Sequence, residues 1–435
     1  MFAIREFRAL WSGQVLSNLG DQLAQISIAI LVYAKTGSAF LTGLAYAMTY
    51  LPPIFGGPLL SGLADVFPRK RVMIALDLIR AGFVALMALP IMPFAGLCAF
   101  LVGTVLLSAP FSSARAALLP DVLPGQKLVA GSALGNISFQ ASQIAGFVLG
   151  AGVVALLGTH LALACDAISF CLSAGIIARW IRPRPAPPPE TQAAPPPSLV
   201  KMAVDGAGVV FGDPVLRTLV LFGWLAGFAV VPEGLAAPYA HALRGGPVTV
   251  GLLMTAMPAG MIIGAFVLGR MARPSNRLRS IGWLAMLSCG PLTISLLHPP
   301  LPLVLLLWML AGAGASYQLA AAAAFARVLR PWQRARAFGI AQSGLLAAQG
   351  LGILAAGALA ARIGPQPAVA LAGAGGLLAA AALATNWTRQ HSELATALGG
   401  DPLGPALDGD PPTSAADAPL APDAAAEQPQ TPGDP

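Results

Sequence analysis

Twelve apolar stretches of bilayer-crossing length follow one another along this chain, and a polypeptide built that way has few folds open to it. They run roughly 9–34, 40–64, 72–92, 94–117, 129–157, 160–181, 215–240, 248–272, 279–297, 301–327, 337–362 and 366–388, separated by loops of Gly, Pro and Arg. A segment crossing hydrocarbon must satisfy its own backbone hydrogen bonds, so each is predicted to be a helix. Composition agrees: 56% of residues are hydrophobic, 10% are charged, and the mean hydropathy is +0.74. The expectation is an all-α polytopic membrane protein. The opening "MFAIREFRALWSG" leads into a full-length span, so no cleavable signal is predicted.

Charge sets the predicted orientation. With the N-terminus cytoplasmic, 21 of the 25 Lys and Arg lie on the inner side, Lys35, Arg244 and Arg362 lie outside, and Arg80 lies within a span. The chain is therefore expected in the cell membrane with both termini cytoplasmic. The same argument disposes of nucleic acid as a partner, because the bases occupy short loops such as Arg69–Arg71 and Arg273–Arg279 and read as topology signals beside membrane lipids. Cys98, Cys165, Cys171 and Cys289 fall inside apolar spans and the four histidines are scattered, a pattern that points to neither a disulfide framework nor a metal site.

Two segments stand outside the spans. "RPRPAPPPETQAAPPPS", Arg182 to Ser198, cannot continue a helix and divides the chain into six spans and six. The predicted organisation is an N-terminal six-helix unit at 1–182, a Pro-rich cytoplasmic linker at 183–200, a C-terminal unit at 201–388 and an acidic, disordered tail at 389–435. The tail holds eight acids against one Arg, while the preceding residues carry a surplus of fourteen positive charges. A shift of 207 residues lays Gly62 on Gly269 and "PGQK" (Pro124–Lys127) on "PWQR" (Pro331–Arg334), as a tandem six-helix repeat would.

"SGLADVFPRKR", Ser61 to Arg71, resembles the loop 2–3 signature of the major facilitator superfamily through Leu63, Ala64, Asp65, Arg69 and Lys70; Ser61 and Pro68 stand where that pattern has glycine, and Val66 where it has a base. "LWSGQVLSNLGDQ" (Leu10–Gln22), "ALLPDVLP" (Ala117–Pro124) and "CDAISFCLSA" (Cys165–Ala174) look like the branch that contains macrolide-efflux and enterobactin-exporter proteins. "GFVLGAG" (Gly146–Gly152) matches the superfamily's helix-five antiporter signature only in part, Phe147 replacing its proline. The resemblance implies two pseudo-symmetric six-helix bundles, helices one, four, seven and ten around a central cavity, and a loop 2–3 latch between the halves. By it, Asp65 would meet the N-terminus of helix eleven near Arg336–Phe338, with Arg69, Lys70 and Arg71 on carboxylates or phosphates.

No Gly-rich phosphate loop occurs, so no cofactor is expected and ATP is not the predicted energy source. Coupling then falls to ionisable groups within spans, where a charge costs ~2.5–3.5 kcal/mol at a helix centre. Asp21 shares a helical face with Gln14, Asn18, Gln22 and Gln25. Two readings stand for this stripe: a proton-accepting carboxylate among solute-binding amides, or an interhelical hydrogen-bond seam. Glu233, between Pro232 and Gly234, either loads a proton at a broken helix or reaches the outer headgroups and Arg244. Asp166 reads as a structural acid, Asp77 and Arg80 as a pair three residues apart, and Arg115 as a snorkelling base or an attractor of anionic solutes. Asn136, Gln140 and Gln143 on span five, Gln342 and Gln349 on span eleven, and Tyr46, Thr49 and Tyr50 on span two would complete a weakly polar cavity suited to amphipathic solutes. The function expected is proton-coupled export of such a small molecule by a monomeric secondary transporter. Proton-coupled import of a nutrient or lipid precursor, and a non-transporting sensor or assembly partner, remain the alternatives.

Overall fold

A computed structural model describes residues 2–54, 67–123, 125–184, 199–271 and 274–397. Asp65, the core of the Pro-rich linker and the acidic tail beyond Ala397 lie outside them. Among the described residues the chain is helical throughout, without a strand.

Span 1 is the helix Arg5–Thr36, span 2 opens with Ala39–Ala47, span 3 is Arg69–Met87 and span 4 is Phe94–Val122. Spans 5 and 6 share Gln126–Trp180, interrupted at Gly158, whose φ of 82° and ψ of 169° separate two helices. L side chains are excluded from that backbone region, which is why a glycine stands there. Spans 8, 11 and 12 are the helices Pro247–Met271, Arg334–Ile363 and Pro365–Ala397. Span 9 is the α-helix Ile281–Cys289 continued by the 3₁₀ turns Gly290–Leu297, and span 10 comprises Leu301–Ala315 and Tyr317–Val328.

Eight helices among the described residues are long and apolar enough to cross a membrane, and one of them, Ala130–Trp180, contains the two spans that meet at Gly158. Spans 2, 3 and 9 fall outside this group for separate reasons. Span 2 runs into residues that are not described, span 3 carries Arg69–Arg71, Asp77 and Arg80, and span 9 is short.

Span 7 is the irregular one. It is a chain of short helices, Pro214–Trp224, Ala226–Ala229, Val231–Gly234 and Ala236–Ala242. Pro232 and Pro238 have no N–H for the carbonyls four residues back. Around Pro232 the chain tightens, Glu233 N donating to Val230 O at 3.1 Å. The break expected beside Glu233 is present, and two further irregular joints at Leu225 and Val230 precede it.

Two elements depart from the sequence expectations. A helix Leu199–Gly212 precedes span 7 and packs on span 11, where a Cβ on Gly206 would stand 2.9 Å from Arg336 O. Span 12 continues past residue 388 to Ala397, because "HSELATA" is rich in helix formers and the acidic, Pro-rich composition begins later.

The two ends of the bundle pack differently. At the pole of the N-terminus and the Arg-rich loops, Phe7, Met73, Leu118 and Ile177 form one core inside spans 1–6, and Val210, Phe222, Phe325 and Trp387 form another inside spans 7–12. Toward the opposite pole one core joins the halves, Ile26, Tyr46 and Phe147 packing with Tyr239, Leu253, Trp308 and Ile353, while another, with Leu31, Met87, Leu97 and Phe170, stays inside spans 1–6. Small residues permit this weld. A Cβ on Gly43 of span 2 would lie 3.3 Å from both Gly357 Cα and Ile353 O of span 11, so the two backbones touch. Outside the cores, Ile91, Leu156, Trp283, Leu297 and Leu378 stay exposed, as side chains facing lipid do.

Candidate functional site: a glutamine-lined cavity and a buried ion cluster

Between the halves lies a cavity of about 450 Å³, walled by spans 1, 2, 5, 7, 8, 10 and 11. The weld closes it toward the opposite pole, so it faces the pole where the described halves keep separate cores. Its polar wall is made of amides: Gln22 and Gln25 from span 1, Gln140 and Gln143 from span 5, Gln318 from span 10, and Gln342 and Gln349 from span 11. Thr49, Tyr50 and one carboxylate, Glu233, complete it, and Met257, Pro258, Met261 and Phe139 supply apolar surface. Amides bind donors and acceptors alike without carrying charge, and thioethers repack around varied shapes.

Glu233 sits at the closed end. It is 8% exposed, and its Oε2 accepts a hydrogen bond of 3.1 Å from Tyr46 Oη, which is 3% exposed. Tyr46 belongs to span 2 and Glu233 to span 7, so this bond crosses between the halves. Arg244, the other partner considered for Glu233, is not its partner here. The sequence marked Tyr46 as polar on span 2 but carried no sign of its mate 187 residues away.

Span 1 divides its polar stripe. Gln22 and Gln25 line the cavity, whereas Asp21 and Asn18 are not among its lining residues. Asp21 Oδ1 instead accepts from Arg80 Nη2 at 2.9 Å. Arg80 also stands 3.8 Å from Asp77 Oδ1 and lies over the Phe170 ring at 4.1 Å from its centroid. The pairing of Asp77 with Arg80 is thus real but long, and Asp21 is the closer partner. Asp166 lies against the neighbouring position of span 1: a Cβ on Gly20 would run into its carboxylate and into Ser169, whose hydroxyl donates to Asp166 Oδ1 at 3.1 Å. Arg115 faces Gly135 with its Nη2, near Gln14 Oε1, in the seam of spans 1, 4 and 5, and is not among the cavity residues.

At the Arg-rich pole, Arg69 donates to Ala117 O at 2.8 Å and pairs with Asp121 at 3.1 Å, and Lys70 donates to Ala178 O at 2.7 Å. Lys70 caps the end of span 6, where helix carbonyls are unpaired, and Arg69 adds a bond to a carbonyl of span 4, both in their own half. Arg71 is exposed. Asp65 lies outside the described residues, so its predicted meeting with helix eleven is not observed. Arg336, at the start of span 11, pairs with Asp205 at 3.4 Å. Asp121 and Gln318 are the residues sequence reasoning missed. Each was a lone polar residue in an apolar run, "ALLPDVLP" and "SYQLAAAAAF", and that isolation was the available signal.

A helical bundle with a polar cavity between two membrane-embedded halves is the architecture of a membrane transporter. The family model of the Major Facilitator Superfamily matches residues 10–237 and 234–407, and the chain belongs to that superfamily. Macrolide efflux protein A of Streptococcus pyogenes is 25% identical over 373 residues, covering 82% of this chain and 90% of that protein. Among solved structures, a bacterial homologue of the iron transporter ferroportin in its inward-facing state matches with a TM-score of 0.69 at 15% identity, over 88% of this chain and 98% of that one. A POT family transporter in complex with 5-aminolevulinic acid matches with a TM-score of 0.72 at 10% identity, over 88% and 96%. These likenesses extend to the fold.

Proposed function

We propose that this protein exports an amphipathic small molecule in exchange for protons, binding it in the glutamine-lined cavity between residues 1–182 and residues 201–388. The observation that carries the reading is the composition of the cavity: seven amides, two hydroxyls and apolar surface surround a single carboxylate, Glu233. Such a wall suits a solute that is large, partly apolar and of low charge density. The name of the streptococcal relative supports the direction and the solute class. With the N-terminus cytoplasmic, as the basic loops indicate, the cavity faces inward, and one chain supplies the whole site, so a monomer suffices.

Glu233 supplies the coupling logic. Closing the outer side buries this acid at the closed end of the cavity, and burying a charged carboxylate costs far more than burying a neutral one. Proton uptake from outside therefore favours return to the inward-facing state. In that state the open cavity lets the proton leave toward the cytoplasm as solute arrives. Asp21, beside the cavity and held by Arg80, takes part in the same cycle.

The test is a mass-spectrometric comparison of cells and medium for a strain expressing the protein, its deletion, and the deletion carrying wild type or Glu233→Gln. A compound retained by the deletion strain and released by wild type alone is expected. A compound left in the medium by the deletion would reverse the direction to import. No redistribution of any compound would leave the chain as a sensor or assembly partner.

A further inference from the structure

We propose that Asp21, Asp77 and Asp166 form a proton-binding site around Arg80 inside the N-terminal half, separate from Glu233, with Asp166 as the resident acid. This deepens the proton-coupled reading above by assigning it a second site.

The balance of charge is the first observation. Spans 1, 3 and 6 meet here and bring three carboxylates against one guanidinium. Span 4, packed on span 3, adds only the thiol of Cys98 between Phe94 and Ala114, and the described helix of span 2 adds no charge. Asp77 is 0% exposed, Asp166 1% and Arg80 3%. Fully ionised, the cluster would hold two uncompensated negative charges in a medium that stabilises neither.

The second observation concerns unmet valences. Arg80 gives its short bond to Asp21, which answers for one carboxylate. Asp166 Oδ2 has no hydrogen-bond partner among the described residues, and Asp77 has only the Ser173 hydroxyl beside it and the long contact to Arg80. Buried ionised carboxylates normally collect several donors, whereas a protonated acid needs fewer. Asp166 has only the Ser169 hydroxyl, on Oδ1, and no ion pair with Arg80.

Access is the third. The Asp21 side chain keeps 34% of its surface exposed while its partners are shut. It lies four residues, one helical turn, before the cavity residue Gln25, and Gly20 sets Asp166 against the same stretch of span 1. A proton entering from the cavity side therefore meets Asp21 first and passes to Asp166, which lies beside the same turn of span 1. Removing it leaves Asp166 repelled by Asp21, a force between spans 1 and 6 that depends on proton occupancy.

The experiment uses the full chain, wild type and solute-free, in lipid bilayers, with aspartate carboxyls labelled by ¹³C and read by infrared difference spectroscopy. At about pH 7.5, where aspartate in water is ionised, a protonated-carboxyl band shifted by the label is expected; Glu233 is unlabelled and cannot produce it. Asp166→Asn should remove the band, and Asp121→Asn should leave it. Absence of the shifted band in wild type overturns the proposal, as does its survival in Asp21→Asn, Asp77→Asn and Asp166→Asn alike. Occupancy is decided by the wild-type spectrum, so misfolding of a variant does not leave the question open. A protein that shows the band yet moves no solute keeps the site and loses the proposed function.

Discussion

Replacing Tyr46 by Phe removes one hydroxyl and leaves Glu233 Oε2 buried without its donor, but only while the two halves are welded at the outer pole. The cost therefore falls on one conformation. At 3.1 Å the bond is long for O–H···O, which favours the lower part of the range of ~1–3 kcal/mol for stranding a buried acceptor. Taking about 1.4 kcal/mol, the balance between inward- and outward-facing states should move about tenfold toward outward-facing. Glu233→Gln should act with the opposite sign, since the amide keeps an acceptor for Tyr46 and abolishes the charge that closure must bury. Spin labels at positions 156 and 297 would report the separation. Leu156 and Leu297 are exposed, end spans 5 and 9 at the outer pole, and belong to different halves. Cys165 and Cys171 are exposed and must first be replaced. Longer distances in Tyr46→Phe and shorter ones in Glu233→Gln are the expected pair. Distributions that move the same way, or not at all, would refute the argument that burial of Glu233 is tied to outer closure.

Gly43→Leu drives a side chain into the backbone of span 11 at Gly357, so the same labels should report loss of the outer-closed state while each half, measured by its own thermal transition, stays folded. Arg80→Ala strands buried carboxylates and should lower stability by ~3–5 kcal/mol, seen as a loss of folded protein in detergent; Arg80→Lys should recover part of it, having the charge without the fork or the stacking on Phe170. Wild-type stability in Arg80→Ala would mean that the cluster is not an ion pair in the folded protein.

Much of the architecture was legible because hydrocarbon imposes a one-dimensional code. Span length, the pairing of Pro with Gly in span 7 and the bias of Lys and Arg each act within a few residues of their own position. Individual cavity residues were legible for a related reason. Gln25, Gln140 and Gln342 are costly in lipid, so each had to face inward wherever its helix stood. Partners were not legible, and Asp21 shows why. The stripe it shares with Gln22 and Gln25 is divided in the structure, and whether Asp21 met solute or Arg80 depended on how span 1 is rotated against span 3, which no spacing within span 1 encodes. Helix Leu199–Gly212 was hidden differently: it follows a Pro-rich run and is too short to read as a span, and it gains its place by packing on span 11.

What the sequence by itself determined is that this chain enters a membrane as a helical bundle with a few acids it cannot afford to show to lipid. Only the tertiary structure decided which acid has which neighbour. Glu233 met Tyr46 across the halves and Asp21 met Arg80 within one, because desolvation penalises a buried charge until a partner is found, and the partner is supplied by packing at a distance along the chain that local pattern does not reach.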